Sequence, residues 1–181
     1  MTGFITLASC ALDGKPISTQ AALDAGLINS SSSSPHLKSM RAEWGLDKHE
    51  IPIGSNLFLA NGRQCLAYAV GNRAPLSNYV IASFGVGTGT TPAKATDVAL
   101  EAPVTFSDGR LLKDVSGIDF PAPFIVRVEI ELGINDANGY LITEWGLYSG
   151  DETLVARKVD LVGTNKQSSG FSSSYFWRIR T

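Results

Sequence analysis

The sequence predicts a mainly β chain, α+β overall, with an antiparallel β-sandwich in its C-terminal part (residues 78–181) and a short-helical, partly extended N-terminal arm (residues 1–77). Three observations carry this. From Asn78 onward apolar residues recur with period two, most clearly from Phe124 to Leu132. There Val126, Val128, Ile130 and Leu132 fall on one side, and Arg127, Glu129 and Glu131 on the other. Turn-forming Gly, Asn and Asp separate these runs at strand-length intervals. Composition agrees: 18 Gly and only 18% charged residues, below the roughly 25% of typical soluble domains, suit short strands and contact surfaces better than a heavily solvated monomer. With 181 residues and 44% hydrophobic content, one domain with a smaller appendage is affordable.

Taken in order, residues 1–55 read as irregular with short helices. Ile17 to Ile28 is Ala-rich, with Ser18 or Thr19 as N-cap. Asn29 and the serines Ser30 to Ser34 form a breaker. Ser34-Pro35 then opens a second short helix that Gly45 ends, with Leu37, Met40 and Trp44 on one stripe. Leu57 to Val70 is the strongest helix candidate, with Leu59, Leu66 and Val70 on one face and Gly71-Asn72 as its stop. Gly62 costs that helix about 1 kcal/mol relative to Ala, so tertiary packing must hold it. Tyr79 to Phe84 reads as a short apolar strand. Asn138-Gly139 marks a turn, so Ile130 to Leu147 reads as a hairpin. Leu154 to Leu161 follows after Gly150-Asp151, and Phe171 to Ile179 closes the chain with Phe171, Tyr175, Trp177 and Ile179 on one face. The sequence contains no internal repeat.

Charge and cysteine content narrow the partners. Fifteen basic against seventeen acidic residues give a net charge of −2, so no global field favours nucleic acid or an acidic membrane. No acid follows Asp160, which leaves Lys166, Arg178 and Arg180 as a mildly basic C-terminal end. These charges are expected on the solvent face of the last strand, or docked on an acidic neighbour. Cys10 and Cys65 cannot make a disulfide framework, and a single bridge between them, or to another subunit, stays open. No apolar run approaches the ~20 residues that cross a bilayer, and the N-terminus lacks the basic region of a secretory signal. Folding in a cytoplasm is therefore expected.

The motifs point away from catalysis. Phe84-Gly-Val-Gly-Thr-Gly-Thr-Thr91 alternates Gly85, Gly87 and Gly89, and its amides suit a phosphate cradle. Yet position 90 is Thr where GxGxxG needs its third glycine, and no GK[ST] follows. A glycine-permitted sharp turn at a strand end is the expectation. His36 and His49, the only histidines, have no second His or Cys at metal-ligand spacing, and no GxSxG elbow is present. Glu129 and Glu131, about 7 Å apart on one strand face, are the best paired carboxylates for sugar hydrolysis. Alternating acids on a wet face are far more often solubilising. Trp44, Trp145 and Trp177 read as core or interface anchors, or as sugar-stacking platforms. No cofactor and no metal are expected.

Two stretches carry a resemblance. Phe84 to Ala93, followed by Asp97 and Ala99-Leu-Glu101-Ala-Pro103, resembles a segment of tailed-bacteriophage structural proteins in which a strand ends in a GxGT loop. Ile142-Thr-Glu144-Trp-Gly146-Leu-Tyr148, with the run through Leu154 to Arg157, is similar to the hairpin of phage tail, baseplate and fibre-attachment proteins. Lys166 and Trp177-Arg-Ile-Arg180 suit the closing strand of that pattern, so the likeness covers residues 78–181. Within it, Gly146 is expected to admit a neighbouring backbone closely. Glu144 and Arg157 are expected to face each other as a cross-strand ion pair.

The resemblance implies a non-enzymatic structural component of a virion (tail, baseplate, neck or collar), made in the host cytoplasm and partnered by itself and other virion proteins. Its contact candidates are Gly85, Gly87, Gly89, Trp44, Glu144, Trp145, Gly146, Arg157, Trp177, Arg178 and Arg180. The alternative is a receptor- or glycan-binding module at a tail tip or fibre, for which Trp44 or Trp145 would lie exposed beside a polar groove.

Overall fold

A computed structural model describes the backbone of residues 2–12, 15–17, 51–166 and 171–180, and the side chains of residues 56–160 and 172–180. Its strands are β1 (Thr2–Leu12), β2 (Lys15–Ile17), β3 (Ile51–Phe58), β4 (Ile81–Gly87), β5 (Lys113–Asp114), β6 (Gly117–Ala122), β7 (Ile125–Leu132), β8 (Tyr140–Ser149), β9 (Leu154–Lys166) and β10 (Phe171–Arg180). One helix, α1 (Ala60–Val70), and a 3-10 turn at Leu76–Tyr79 complete the described elements. The chain is mainly β and antiparallel, as predicted.

Hydrogen bonding links the strands in the order β5-β4-β8-β9-β3-β1-β10-β7-β6, with β2 beside β1. The path folds over so that β4, β8 and β9 face β10 and β7 across one apolar core. Phe84, Val86, Trp145, Leu147 and Ala156 come from one layer, and Val128, Ile130, Tyr175, Trp177 and Ile179 from the other. The two ends of the path are consecutive in sequence. Val115 N–H donates to Ala82 O at 3.0 Å, whereas Ser116 N–H donates to Glu129 O at 2.9 Å, so the chain steps between layers within one residue. That step ties the start of β4 to the middle of β7 and nearly closes the sandwich.

Several expectations are corrected. Residues 2–12 and 51–58 are not an irregular arm: β1 lies between β3 and β10, inside the sheet and across the expected boundary at 77/78. Irregularities hid them. A register shift between Leu7 and Ser9 breaks the alternation of β1, and Pro52 and Gly54 make β3 read as loop. The helices expected over Ile17 to Ile28 and after Ser34, with the serine run, fall mostly or wholly outside the described residues; Ile17 itself ends β2.

The third helix exists but begins at Ala60, and its buried positions are Gly62 and Cys65 instead of Leu66 and Val70, which are exposed. Gly62 has a packing reason. A Cβ there would meet Val155 O at 2.3 Å, so glycine lets α1 lie directly on β9. The Tyr79-to-Phe84 strand is shifted to Ile81–Gly87. Strands β7 and β8 both form, but they are not a hairpin. β7 pairs with β10 and β6, and β8 with β4 and β9, so the Asn138-Gly139 region crosses between layers.

Candidate functional site

The two stretches that carry the resemblance meet at one buried ionic cluster. Strand β8 is buried from Ile142 to Ser149, so both of its faces need partners. On one face Trp145 enters the core; on the other Glu144 is fully buried. Strand β9 places Arg157 opposite Gly146, one diagonal step from Glu144. Arg157 Nε donates to Glu144 Oε1 at 2.8 Å, and its Nη1 donates to Asp97 Oδ2 at 2.6 Å. Nη2 lies 2.6 Å from the same Glu144 oxygen and 3.7 Å from Glu101 Oε2. Those two are charge contacts, since Nη2 is not aligned for a hydrogen bond.

Backbone amides complete the cluster. Glu101 N–H donates to Glu144 Oε1 at 2.7 Å and Ala102 N–H to Glu144 Oε2 at 3.2 Å. Glu101 in turn accepts from Thr91, at 2.8 Å from its N–H and 2.7 Å from its hydroxyl. Lys94 N–H donates to Asp97 Oδ2 at 2.9 Å. One carboxylate thus anchors the segment after the glycine stretch to the central strands. Burial works to push the Asp97 carboxyl up, but the Lys94 amide and Arg157 outweigh it and hold it below its usual value. Burial likewise pulls the Arg157 guanidinium down, and Asp97 and Glu144 more than restore it. The expected cross-strand ion pair is present, and it is buried.

The glycines belong to the same cluster. Gly85 and Gly87 lie within β4, not at a turn, and the described glycines with positive φ are Gly109 and Gly139. What Gly87 supplies is the space of a missing Cβ: one there would lie 2.5 Å from Glu144 Oε2 and 2.7 Å from Ala102 O. At Gly89 it would lie 2.6 Å from Glu144 Oε2 and 2.8 Å from Glu101 Cβ. Thr143 Oγ1 also donates to Gly89 O at 2.9 Å. The GxGT stretch therefore cradles a carboxylate of its own chain. Gly85 makes room for Leu112, whose Cδ2 would be 3.1 Å from a Cβ. Gly146 admits side chains, Leu154 at 2.8 Å and Leu100 at 3.0 Å, rather than the backbone that was expected.

The other predicted residues separate. Trp145 and Trp177 are buried in the core, the first with no hydrogen-bond acceptor for its Nε1. Trp44 lies outside the described residues. Arg178, expected at the surface, is fully buried on β10, and its guanidinium sits 5.5 Å from the Phe176 ring. Arg180 is half-buried at the end of β10. Cys65 is a free, buried thiol, and burial pushes its pKa up; the side chain of Cys10 lies outside the described ones. Glu129 and Glu131 stand on the outer side of β7, with no metal-holding group of His, Cys, Asp or Glu among the described residues.

Sequence reasoning missed a second polar anchor. Asp136, buried in the β7–β8 crossing, accepts from Ser107 Oγ at 2.9 Å and Gly133 N–H at 2.9 Å and pairs with Lys113. Burial pushes this carboxyl up, but the Lys113, Ser107 and Gly133 contacts prevail and hold it low. The local signal was a turn-type Asp three residues after Gly133; its side-chain partners Lys113 and Ser107 lie 23 and 29 positions away. Comparison with known proteins finds no matching family model, no matching curated protein and no matching solved structure.

Proposed function

We propose that the chain is a structural component of a tailed-phage virion that acts by packing against copies of itself and neighbouring virion proteins. The observation that carries this reading is the convergence of its two resembling stretches, 84–103 and 142–157, on the Glu144–Arg157 cluster. The residues of the likeness support one another mechanically: glycines give space, Glu144 and Arg157 tie three segments together, and the cluster is consumed by internal partners. A motif whose polar groups are satisfied within the chain supports a framework role that acts through surfaces. Burial of Trp145 takes away one of the two tryptophans on which the glycan-binding alternative rested.

Peptide mass spectrometry of purified phage particles from cells that make the chain tests the proposal. The expected result is the intact chain at a fixed ratio to the other particle proteins. Its consistent absence from particles, with abundant chain in the cell lysate, would defeat the reading.

A further inference from the structure

The β6–β7 turn has the sequence Phe120-Pro-Ala-Pro-Phe124, and it exposes both aromatic rings, each residue at 75%. Phe124 also has φ +65°, a left-handed conformation that bulky side chains avoid and glycine would accept without strain. Pro123 before it and the Ala122–Ile125 pairing make a two-residue turn whose second position normally favours Gly or Asn. The chain thus holds a strained backbone to present a phenyl ring to solvent.

Beside this prong lies an apolar groove of about 280 Å³ between α1 and β6. Phe58, Cys65, Leu66, Tyr79 and Val80 line its far wall, and Ile118 and Phe120 its near one. Leu66, Val80 and Ile118 are themselves exposed. A surface that carries both a prong and an adjoining groove is self-complementary. We infer that two copies of the chain associate about a two-fold axis, each placing its Phe120–Phe124 turn in the groove of the other.

The exposed apolar side chains supply the centre of such an interface. Two phenylalanines three-quarters exposed offer roughly 300 Å². Leu66, Val80 and Ile118 add to the apolar centre of a standard interface of about 800 Å² per partner. The contact is made by side chains rather than by a continued sheet. β6 pairs with β7 on one side, but Pro121 lacks an N–H and a register shift between Asp119 and Ala122 interrupts the strand. A bilayer is the weaker match, because the flanking charges Asp119 and Arg127 pair with each other and give the prong no net positive charge.

The test is sedimentation velocity of the full chain from micromolar to hundreds of micromolar. The wild type is expected at the mass of two chains. The double variant Phe120→Ser, Phe124→Ser should raise the dissociation constant at least about tenfold with an unchanged melting temperature, and Leu66→Gln, across the groove, should act in the same direction. Val98→Ser, at an exposed residue lining a different pocket, should leave the mass unaltered.

A wild type that stays a single chain throughout, or a double variant that associates as the wild type does, overturns the inference. So does a double variant that melts markedly lower, because the rings would then be covered within one chain. Flotation of a single-chain species with neutral lipid vesicles would assign the prong to a membrane instead. This measurement concerns the isolated chain, so its failure leaves the virion proposal, which turns on particle content, to stand or fall separately.

Discussion

Replacing Gly87 with alanine tests the central claim about the glycine stretch, that it is a steric cradle for Glu144. The added Cβ would sit 2.5 Å from a carboxylate oxygen held by backbone amides and 2.7 Å from the carbonyl of Ala102. Neither neighbour is the free end of a flexible side chain, so β4 or the 101–103 segment must shift. Overpacking of this kind costs about 1–3 kcal/mol, and loosening the Ala102 N–H bond to Glu144 adds to it. Reduced freedom of the unfolded chain returns about 0.4–1 kcal/mol. The net expectation is a loss of about 2–3 kcal/mol, or roughly 5–10 °C in melting temperature for a chain of this size.

Urea unfolding of the purified protein measures it, with Gly109→Ala as comparator. Gly109 has φ +83° and no atom within 4 Å of an added Cβ, so its loss is conformational alone, about 1 kcal/mol. Equal losses in the two variants would refute the cradle and return the motif to a loop whose glycines serve backbone conformation.

Three further outcomes are expected. Arg157→Met alone should cost about 3–5 kcal/mol in urea unfolding, because Glu144 is left buried without its counter-ion, and combined with Glu144→Gln, which keeps an acceptor for the Glu101 amide, the loss should fall short of the sum of the two single losses; strictly additive losses would argue against the pair. Asp136→Asn should lower stability at neutral pH by about 1–3 kcal/mol. The folded carboxyl titrates below its unfolded value of 3.8, so its contribution is present above that pH and lost as pH falls through the folded value; the gap between wild type and variant should therefore close in acid, and a pH-independent gap would refute the assignment. Lys158 is buried, with burial pulling its pKa down against the weaker pull of Asp160. The cation is a cost to the fold that is relieved as pH rises through the folded value, so Lys158→Met should raise thermal stability by about 1 kcal/mol at neutral pH and less in alkali.

What was legible in the sequence was whatever is local. Strand β7 could be read because its apolar side chains alternate without interruption, and α1 because a helical run ends at Gly71. The pairing of strands was not legible, since β7 and β8 look like a hairpin from Asn138-Gly139 yet belong to different layers. Arg178 was placed at the surface on the rule that strand charges point outward, a rule that Glu131 on β7 obeys and the buried Arg178 on β10 does not. Within the site, the Glu144–Arg157 pairing followed from strand spacing, but its four further partners did not. Asp97, Glu101 and the amides of Glu101 and Ala102 come from a segment without regular structure, and only the closing of the sandwich brings it there.

The cluster also accounts for how β8 keeps its register. Alternation cannot do so, because β8 is buried on both faces from Ile142 to Ser149, and a strand with two apolar faces gains little from one pairing over a slipped one. The β8–β9 ladder is moreover interrupted twice, between Ile142 and Glu144 and between Leu147 and Tyr148, so backbone bonding is not continuous either. A slip would carry Glu144 away from Arg157 and from the amides of Glu101 and Ala102, leaving a buried carboxylate unpaired at a cost of several kcal/mol. It would also move that carboxylate out of the space that Gly87 and Gly89 leave for it. Ion pair, amides and glycines therefore select one pairing together, and that shared geometry ties the positions of Gly87, Glu144 and Arg157 to one another.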